Sequence, residues 1–460
     1  MNKVASIAII GAGWAGCAAA VEATRLGHHV TLFEASRTPG GRARRVDVLH
    51  ETQNLALDNG QHILIGAYSE TLKLMAKVGI NITRALHRMP LTMQFPDGSG
   101  LKLPASHFLP APLDAFAGIV RTHGWSWADK LSLLKTAVNW QLCKFQCPAD
   151  QSVADLCKGV SPRIMTTLIE PLCVSALNTP APQASGQVFL RVLCDSLFAV
   201  NGGSNLLLPR VDLSALLPDA AIAWLTSQGG KARLGVRIQS VAQDAHKRWH
   251  LSTSSSSSSS TSTSTSTNVN VNAAGADVDA DADLGPFDGV ILACPPADAA
   301  RLARISALPV SGWLALTENL HYEAIATVYA MSPGTRLAQP MMALALTSTY
   351  PAQFVFDRGQ LGGPAGLLAF VISASQQGSI ELTAQVTAQA GAQLGITQMQ
   401  ILQTIVEKRA TFACTPGLQR PGQNIAPGLT ACGDYTDGPY PATLEGAVRS
   451  GLQAASLLNF

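Results

Sequence analysis

Residues 4–45 read VASIAIIGAGWAGCAAAVEATRLGHHVTLFEASRTPGGRARR, and the reading of this stretch decides the fold. Residues 4–10 are an apolar run too short for a helix and closed by Gly11, the pattern of a buried parallel strand. From Trp14 to Leu26 the chain is Ala-rich with strong helix propensity, and Gly27 supplies a stop. Val30–Glu34 (VTLFE) follows as a second strand, which completes one βαβ unit.

Within that unit Gly11-Ala12-Gly13-Trp14-Ala15-Gly16 fits GxGxxG between strand and helix, and Glu34 ends the second strand 18 residues after the last glycine. Glycines let a backbone approach a pyrophosphate, a helix N-terminus offers unpaired N–H groups and positive dipole to it, and a carboxylate accepts from ribose hydroxyls. Strand, helix and acid together point to a dinucleotide site.

Outward from this unit, Ala220–Ser227 reads as a helix stopped by Gly229-Gly230, and Val236–Val241 with Trp249–Leu251 as a hairpin. Residues 252–267 are all Ser or Thr and the chain stays polar to Asp283, so 252–285 is expected to be a disordered insertion. Its alternating Asp277, Asp279, Asp281 and Asp283 do not make a calcium loop, because Ala282 and Asp288 stand where the turn glycine and the bidentate Glu belong. Asp288–Ala293 resumes as a buried strand. Regions 75–200 and 300–415 carry helical patterns, Pro-rich turns and strand-like runs at Ile325–Met331, Gln353–Phe356 and Leu367–Ile372; Leu429–Phe460 returns to strand, glycine turn and helix.

Composition removes several classes of function. With 460 residues the chain is long enough for two or three domains. Lys plus Arg is 32 and Asp plus Glu is 30, which leaves no basic field for a nucleic-acid backbone. Nine cysteines without a CxxC pair give neither a disulfide framework nor a metal set. No apolar run reaches the 18 or so residues of a spanning helix, so membrane contact is expected to be peripheral.

Three separated segments carry a resemblance to one family. The opening string, extended by Gly40-Gly41-Arg42, resembles the amine-oxidase and phytoene-desaturase superfamily of FAD enzymes. So do Leu57-Asp58-Asn59-Gly60-Gln61-His62-Ile63-Leu64-Ile65-Gly66-Ala67-Tyr68 and the segment Leu429–Ala447, which contains Cys432-Gly433-Asp434 and Tyr440-Pro441-Ala442-Thr443-Leu444. The resemblance implies an α/β fold: a Rossmann-like FAD-binding domain of segments 1–74, 201–300 and 421–460, with an inserted α+β substrate domain of 75–200 and 301–420. It implies that Gly41 and Arg42 lie at the pyrophosphate and that Gly60, Gln61 and His62 lie near the flavin. Val236 meets the adenine, Gly433 and Asp434 hold the ribityl and pyrophosphate portion, and a helix N-terminus at Thr443 and Leu444 faces the flavin edge. Arg44 and Arg45 have no such role and are expected in solvent. Cys432 does not match the attachment position, which implies non-covalent FAD. Asp58 reads as a turn or helix-capping residue.

PLCVSALNTP (171–180) and residues 202–225 resemble, more narrowly, a squalene-associated branch of the superfamily. That branch implies reduction of the allylic alcohol hydroxysqualene to squalene by hydride from reduced flavin, with a protein acid protonating the departing hydroxyl. Candidate acids are His62, Tyr435, Asp437 and Tyr440, with His62 first; Pro171–Asn178 is the expected wall near the flavin. Partners implied are a long-chain isoprenoid, upstream enzymes of squalene formation and a reductant the sequence does not name. A cytoplasmic protein resting on the inner face of the membrane follows, and the Trp-bearing stretch 108–145 is suited either to that interface or to the packed face of the substrate domain. A carotene-type desaturase using oxidised FAD, a non-catalytic FAD-binding partner of a prenyl-transfer enzyme and an amine oxidase are the competing readings.

Overall fold

The computed structural model of the protein describes residues 4–104, 112–199, 201–253, 284–375 and 378–458. Its chain opens with β1 (Ser6–Ile10), α1 (Trp14–Arg25) and β2 (His29–Glu34). These strands join a six-stranded sheet whose order is 231–234, β2, β1, 289–292, 429–431, 424–426. The first five strands run parallel and the last pairs antiparallel at the edge. Ile7 sits opposite Val30 on one side and Gly289 on the other, so residues far apart in the chain meet in this sheet.

A sheet buried on both faces needs apolar residues in succession rather than alternation. On one face Ile7, Ile9, Val30 and Leu32 pack on the alanines of α1 and on Ala454 and Ala455 of the helix Leu444–Leu457. The other face, with Ala8, Ile10 and Phe33, packs on Val241, Trp249 and Phe287 of a three-stranded sheet. α1 and the helix Leu444–Leu457 approach closely at Gly451, where a Cβ would fall 2.1 Å from the Ala15 carbonyl oxygen.

A second, antiparallel sheet has the order 341–343, 354–357, 367–373, 322–331, 400–412. The helix Ser379–Leu394 covers it through Leu382, Val386 and Ala390. The strand-like runs at 325–331, 353–356 and 367–372 lie here, but its longest strand, the 13 residues Gln400–Phe412, was not among the runs read from the sequence. β3 (Arg45–His50) and β4 (Gln53–Asp58), also unanticipated, form a hairpin that leads to Gly60.

Two expectations are corrected. Val236 is not within a strand: Lys231–Leu234 and Ile238–Gln243 are separate strands in different sheets, and Val236 lies in the link, its N–H donating to the Glu34 carbonyl at 2.9 Å. The polar insertion is shorter than 252–285, because Trp249–Thr253 and Leu284–Phe287 are paired strands with Leu251 opposite Leu284. The rest of it, including the four alternating acids, lies outside the described residues.

Candidate functional site

The three fingerprint glycines are glycine for three reasons. Gly11 has φ +114°, and a Cβ there would stand 2.6 Å from the Ala293 carbonyl oxygen. At Gly16 a Cβ would fall 1.9 Å from the Gly11 carbonyl, so this glycine seats the helix on the turn. Gly13 has ordinary φ −72°, and the nearest atom to its missing Cβ is Gly41 Cα at 4.0 Å. Space rather than protein lies over it.

That space is a cavity of about 480 Å3. Gly11, Gly13, Trp14, Ala15, Glu34, Gly41 and Arg42 line it from the N-terminal segment, and Gly433, Asp434, Thr443 and Leu444 from the C-terminal one. His62 and Val236 also lie on its wall. Ala12 and Gly16 lie behind it: the Ala12 N–H donates to Glu34 Oε2 at 2.7 Å. Ser36 N–H donates to the other carboxylate oxygen at 2.8 Å, fixing the acid at the cavity edge. Gly60 and Gln61 are also off the wall.

Arg42 ties the two chain ends together. Its guanidinium donates to the Ala410 carbonyl at 2.6 Å and pairs with the Asp434 carboxylate. Two helices begin at the cavity. α1 has Gly13 as N-cap, with no capping side chain and no acid in its first turn. The helix Leu444–Leu457 is capped by Thr443, whose Oγ1 accepts from Gly446 N–H at 2.9 Å. Unsatisfied N–H groups and positive helix ends make such a place suited to phosphate.

The acids anticipated from sequence separate in space. Asp437 is 75% exposed at its side chain, pairs with Arg420 at 3.4 Å and is off the wall. Tyr440 is also off the wall, its ring between the guanidinium carbons of Arg449 (5.0 Å) and Arg191 (5.6 Å). The turn after Asp434 carries both side chains away from this cavity. His62 does reach it; burial, with a further push from the Arg42 charge, lowers its pKa to about 4, against a hydrogen bond to the Arg42 backbone. Its imidazole is neutral at pH 7. Tyr435 lies on the wall, with a buried hydroxyl that has no hydrogen-bond partner. Burial raises its pKa well above the usual value, so this hydroxyl stays a donor.

The loop that carries His62 is pinned from behind. Tyr329 Oη donates to the Asp58 carbonyl at 2.7 Å and accepts from Gln61 Nε2 at 2.7 Å. Arg358 donates to Gln61 Oε1 at 3.4 Å, and the Leu213 N–H donates to Asp58 Oδ1 at 2.8 Å. Asp58 therefore satisfies the first turn of a distant helix, Leu213–Leu216. Burial raises its carboxyl to about 7, against the Leu213 bond and the Arg358 charge.

Pro171–Asn178 does not line the cavity. Asn178, at φ +48°, ends the helix Glu170–Leu177; its amide donates to Thr411 Oγ1 at 2.9 Å and accepts from Ala374 N–H at 2.9 Å. Thr411, Arg409 and Glu407, from the unanticipated strand, do line it, as do Tyr322 and Cys294. Arg44, expected in solvent, is on the wall and donates to the Gly41 carbonyl at 2.7 Å, whereas Arg45 pairs with Asp47, Asp212 and Asp219. The β-branched content of 400–412 was the available signal. Cys432 is buried off the wall, and burial raises its thiol pKa.

A phosphate-bearing flavin nucleotide fits these residues: the open space above Gly13 and two helix N-termini face one cavity, and Tyr435 stands on its wall. The family model for flavin containing amine oxidoreductases matches residues 14–459, and the chain belongs to that family of flavin-dependent oxidoreductases. Hydroxysqualene dehydroxylase of Rhodopseudomonas palustris is 27% identical, with 98% of both chains covered. That of Sinorhizobium fredii is 25% identical with the same coverage. Zeta-carotene desaturase of Zea mays is 32% identical over 27% of this chain and 21% of its own length. Among solved structures, an oxidoreductase from Methanosarcina mazei superposes with a TM-score of 0.70 at 15% identity, covering 98% of this chain and 99% of its own. This last likeness shows the α/β fold with its added antiparallel sheet.

Proposed function

We propose that this member of the flavin-containing amine oxidoreductase family reduces hydroxysqualene to squalene with non-covalently held FAD. The end-to-end similarity to hydroxysqualene dehydroxylases supports this reading, whereas similarity to the zeta-carotene desaturase of Zea mays covers about a quarter of the chain and that to the 15-cis-phytoene desaturase of Narcissus pseudonarcissus about half. FAD, when bound and reduced, supplies hydride. In the net change the C–O bond breaks, carbon gains hydride, oxygen gains a proton and water leaves. Glu34 binds ribose hydroxyls, Val236 meets the adenine, and Arg42 with the N–H groups of Trp14 and Ala15 holds pyrophosphate. The Leu444–Leu457 helix end favours negative charge by about 0.3–2 kcal/mol. Gly60 and Gln61 set the height of the His62 loop beside the flavin. The substrate is expected from enzymes that build the thirty-carbon skeleton, and the site of action is the cytoplasmic face of the membrane. Among the described residues no helix is long and apolar enough to cross one.

One observation favours a second reading. A His62 held neutral by burial is a poor acid near pH 7, so a reading that needs no proton from it, a carotene-type desaturase using oxidised FAD, stands beside the first. Anaerobic incubation separates the two. Photoreduced protein should be reoxidised by hydroxysqualene with squalene formed; turnover of phytoene by oxidised protein, with no response to the alcohol, would replace the first reading by the second. Flavin that changes redox state with neither compound would leave a non-catalytic FAD-binding role.

A further inference from the structure

The helices Leu113–Arg121 and Trp127–Leu142 pack against each other and bury Ile119, Leu133 and Trp140 in the core. Their outer sides are apolar as well. Thirteen large hydrophobic residues are exposed among the described residues, and six of them, Leu113, Val120, Trp127, Leu131, Val138 and Leu142, belong to this pair. On the longer helix Trp127 (65% exposed), Leu131 (60%), Val138 (45%) and Leu142 (76%) are spaced by four, seven and four. At 3.6 residues per turn they fall within an arc of about 60°. They form one continuous stripe, with exposed Lys135 at its edge.

The charge around this stripe is one-sided. From Lys102 to Lys144 the sequence holds five Lys or Arg and two Asp, although the whole chain is nearly balanced at 32 against 30. One of the two acids, Asp129, is engaged in a capping box with Ser126. Lys102, Arg121 and His123 line a second cavity, of about 260 Å3, beside the end of the shorter helix. Lys130 is the exception among the cations: its Nζ donates to the Val120 carbonyl at 2.7 Å and lies over the Trp127 ring, holding the helix pair together.

We infer that this face seats the protein on an anionic phospholipid bilayer, the stripe entering the acyl boundary while Lys102, Arg121, His123 and Lys135 meet headgroup phosphates. An apolar helix face with aromatic and basic neighbours gains from both burial and charge at such a surface. A second copy of the chain is the poorer occupant, because a two-fold contact would bring two copies of the same basic patch into one interface. The inference rests on the isoprenoid reading only for its purpose, delivery of a bilayer-dissolved substrate.

Flotation of the flavin-loaded full chain with phosphatidylglycerol-containing vesicles, compared with pure phosphatidylcholine, tests it. The protein should float with the anionic vesicles, less so as salt rises, and by about 5-fold less for Arg121→Gln or Lys135→Gln. Leu131→Glu combined with Val138→Glu should lose at least about tenfold in partition while keeping flavin content and sedimentation coefficient. Three results would overturn the inference: no flotation of the parent protein, equal flotation of the double variant, or a parent dimer that the double variant splits. Turnover of detergent-dispersed hydroxysqualene is read in parallel. Its absence in the parent protein would overturn the substrate reading and leave the bilayer result standing.

Discussion

Asp58 and His62 lie four residues apart, and burial moves their proton affinities in opposite directions. In the folded protein Asp58 rises from 3.8 to about 7 and His62 falls from 6.5 to about 4. Between pH 4 and 6.5 folding therefore takes up a proton at Asp58 and releases one at His62. The first makes stability fall as pH rises and the second makes it rise, each by at most about 1.4 kcal/mol per pH unit, so the two largely cancel. Asp58→Asn keeps the acceptor for Leu213 N–H and removes one side of the balance. Relative to the parent protein, this variant should gain stability from pH 4 to 6.5, and His62→Gln should lose it over the same range. Urea midpoints across that range check this; parallel slopes for all three proteins would refute it. The sequence disclosed the kind of role Asp58 has, helix capping, but not its partner, which is 155 residues away.

At the scale of elements, the turn between β1 and α1 makes a sharper distinction than its motif does. Gly16→Ala should cost about 1–3 kcal/mol of stability, because its methyl meets the Gly11 carbonyl and overpacks the turn. Gly13→Val should cost the flavin-free protein less than this, since the atom nearest its added Cβ, chain neighbours aside, is 4.0 Å away, and should abolish flavin retention. Thermal melts paired with visible spectra distinguish these effects, and a yellow Gly13→Val protein would sink the assignment. β1, α1 and β2 were legible because their signals are local: an apolar run, an Ala-rich helix and glycine punctuation. The strand Gln400–Phe412 was not, because its stability comes from pairing with Tyr322–Met331 and many of its residues are only half-buried. Missing it also hid Glu407, Arg409 and Thr411 from the list of wall residues.

For the whole molecule, composition located the polar tract but misplaced its ends, since Ser252 and Thr253 pair with Ser240 and Ile238, and Leu284 pairs with Leu251. Residues 254–283 thus connect neighbouring antiparallel strands. Their replacement by a short glycine-containing turn should preserve flavin content and raise stability by about 0.6 kcal/mol for each halving of the loop; a colourless or unstable product would show that the tract has a structural part. The segments flanking the cavity were legible as motifs, whereas their meeting was not, because the Arg42–Asp434 pair spans nearly the entire sequence. That pair also imposes an order on biogenesis. While residues 433–444 are still inside the ribosome, one wall of the cradle has not emerged, so vitamin capture must wait for them.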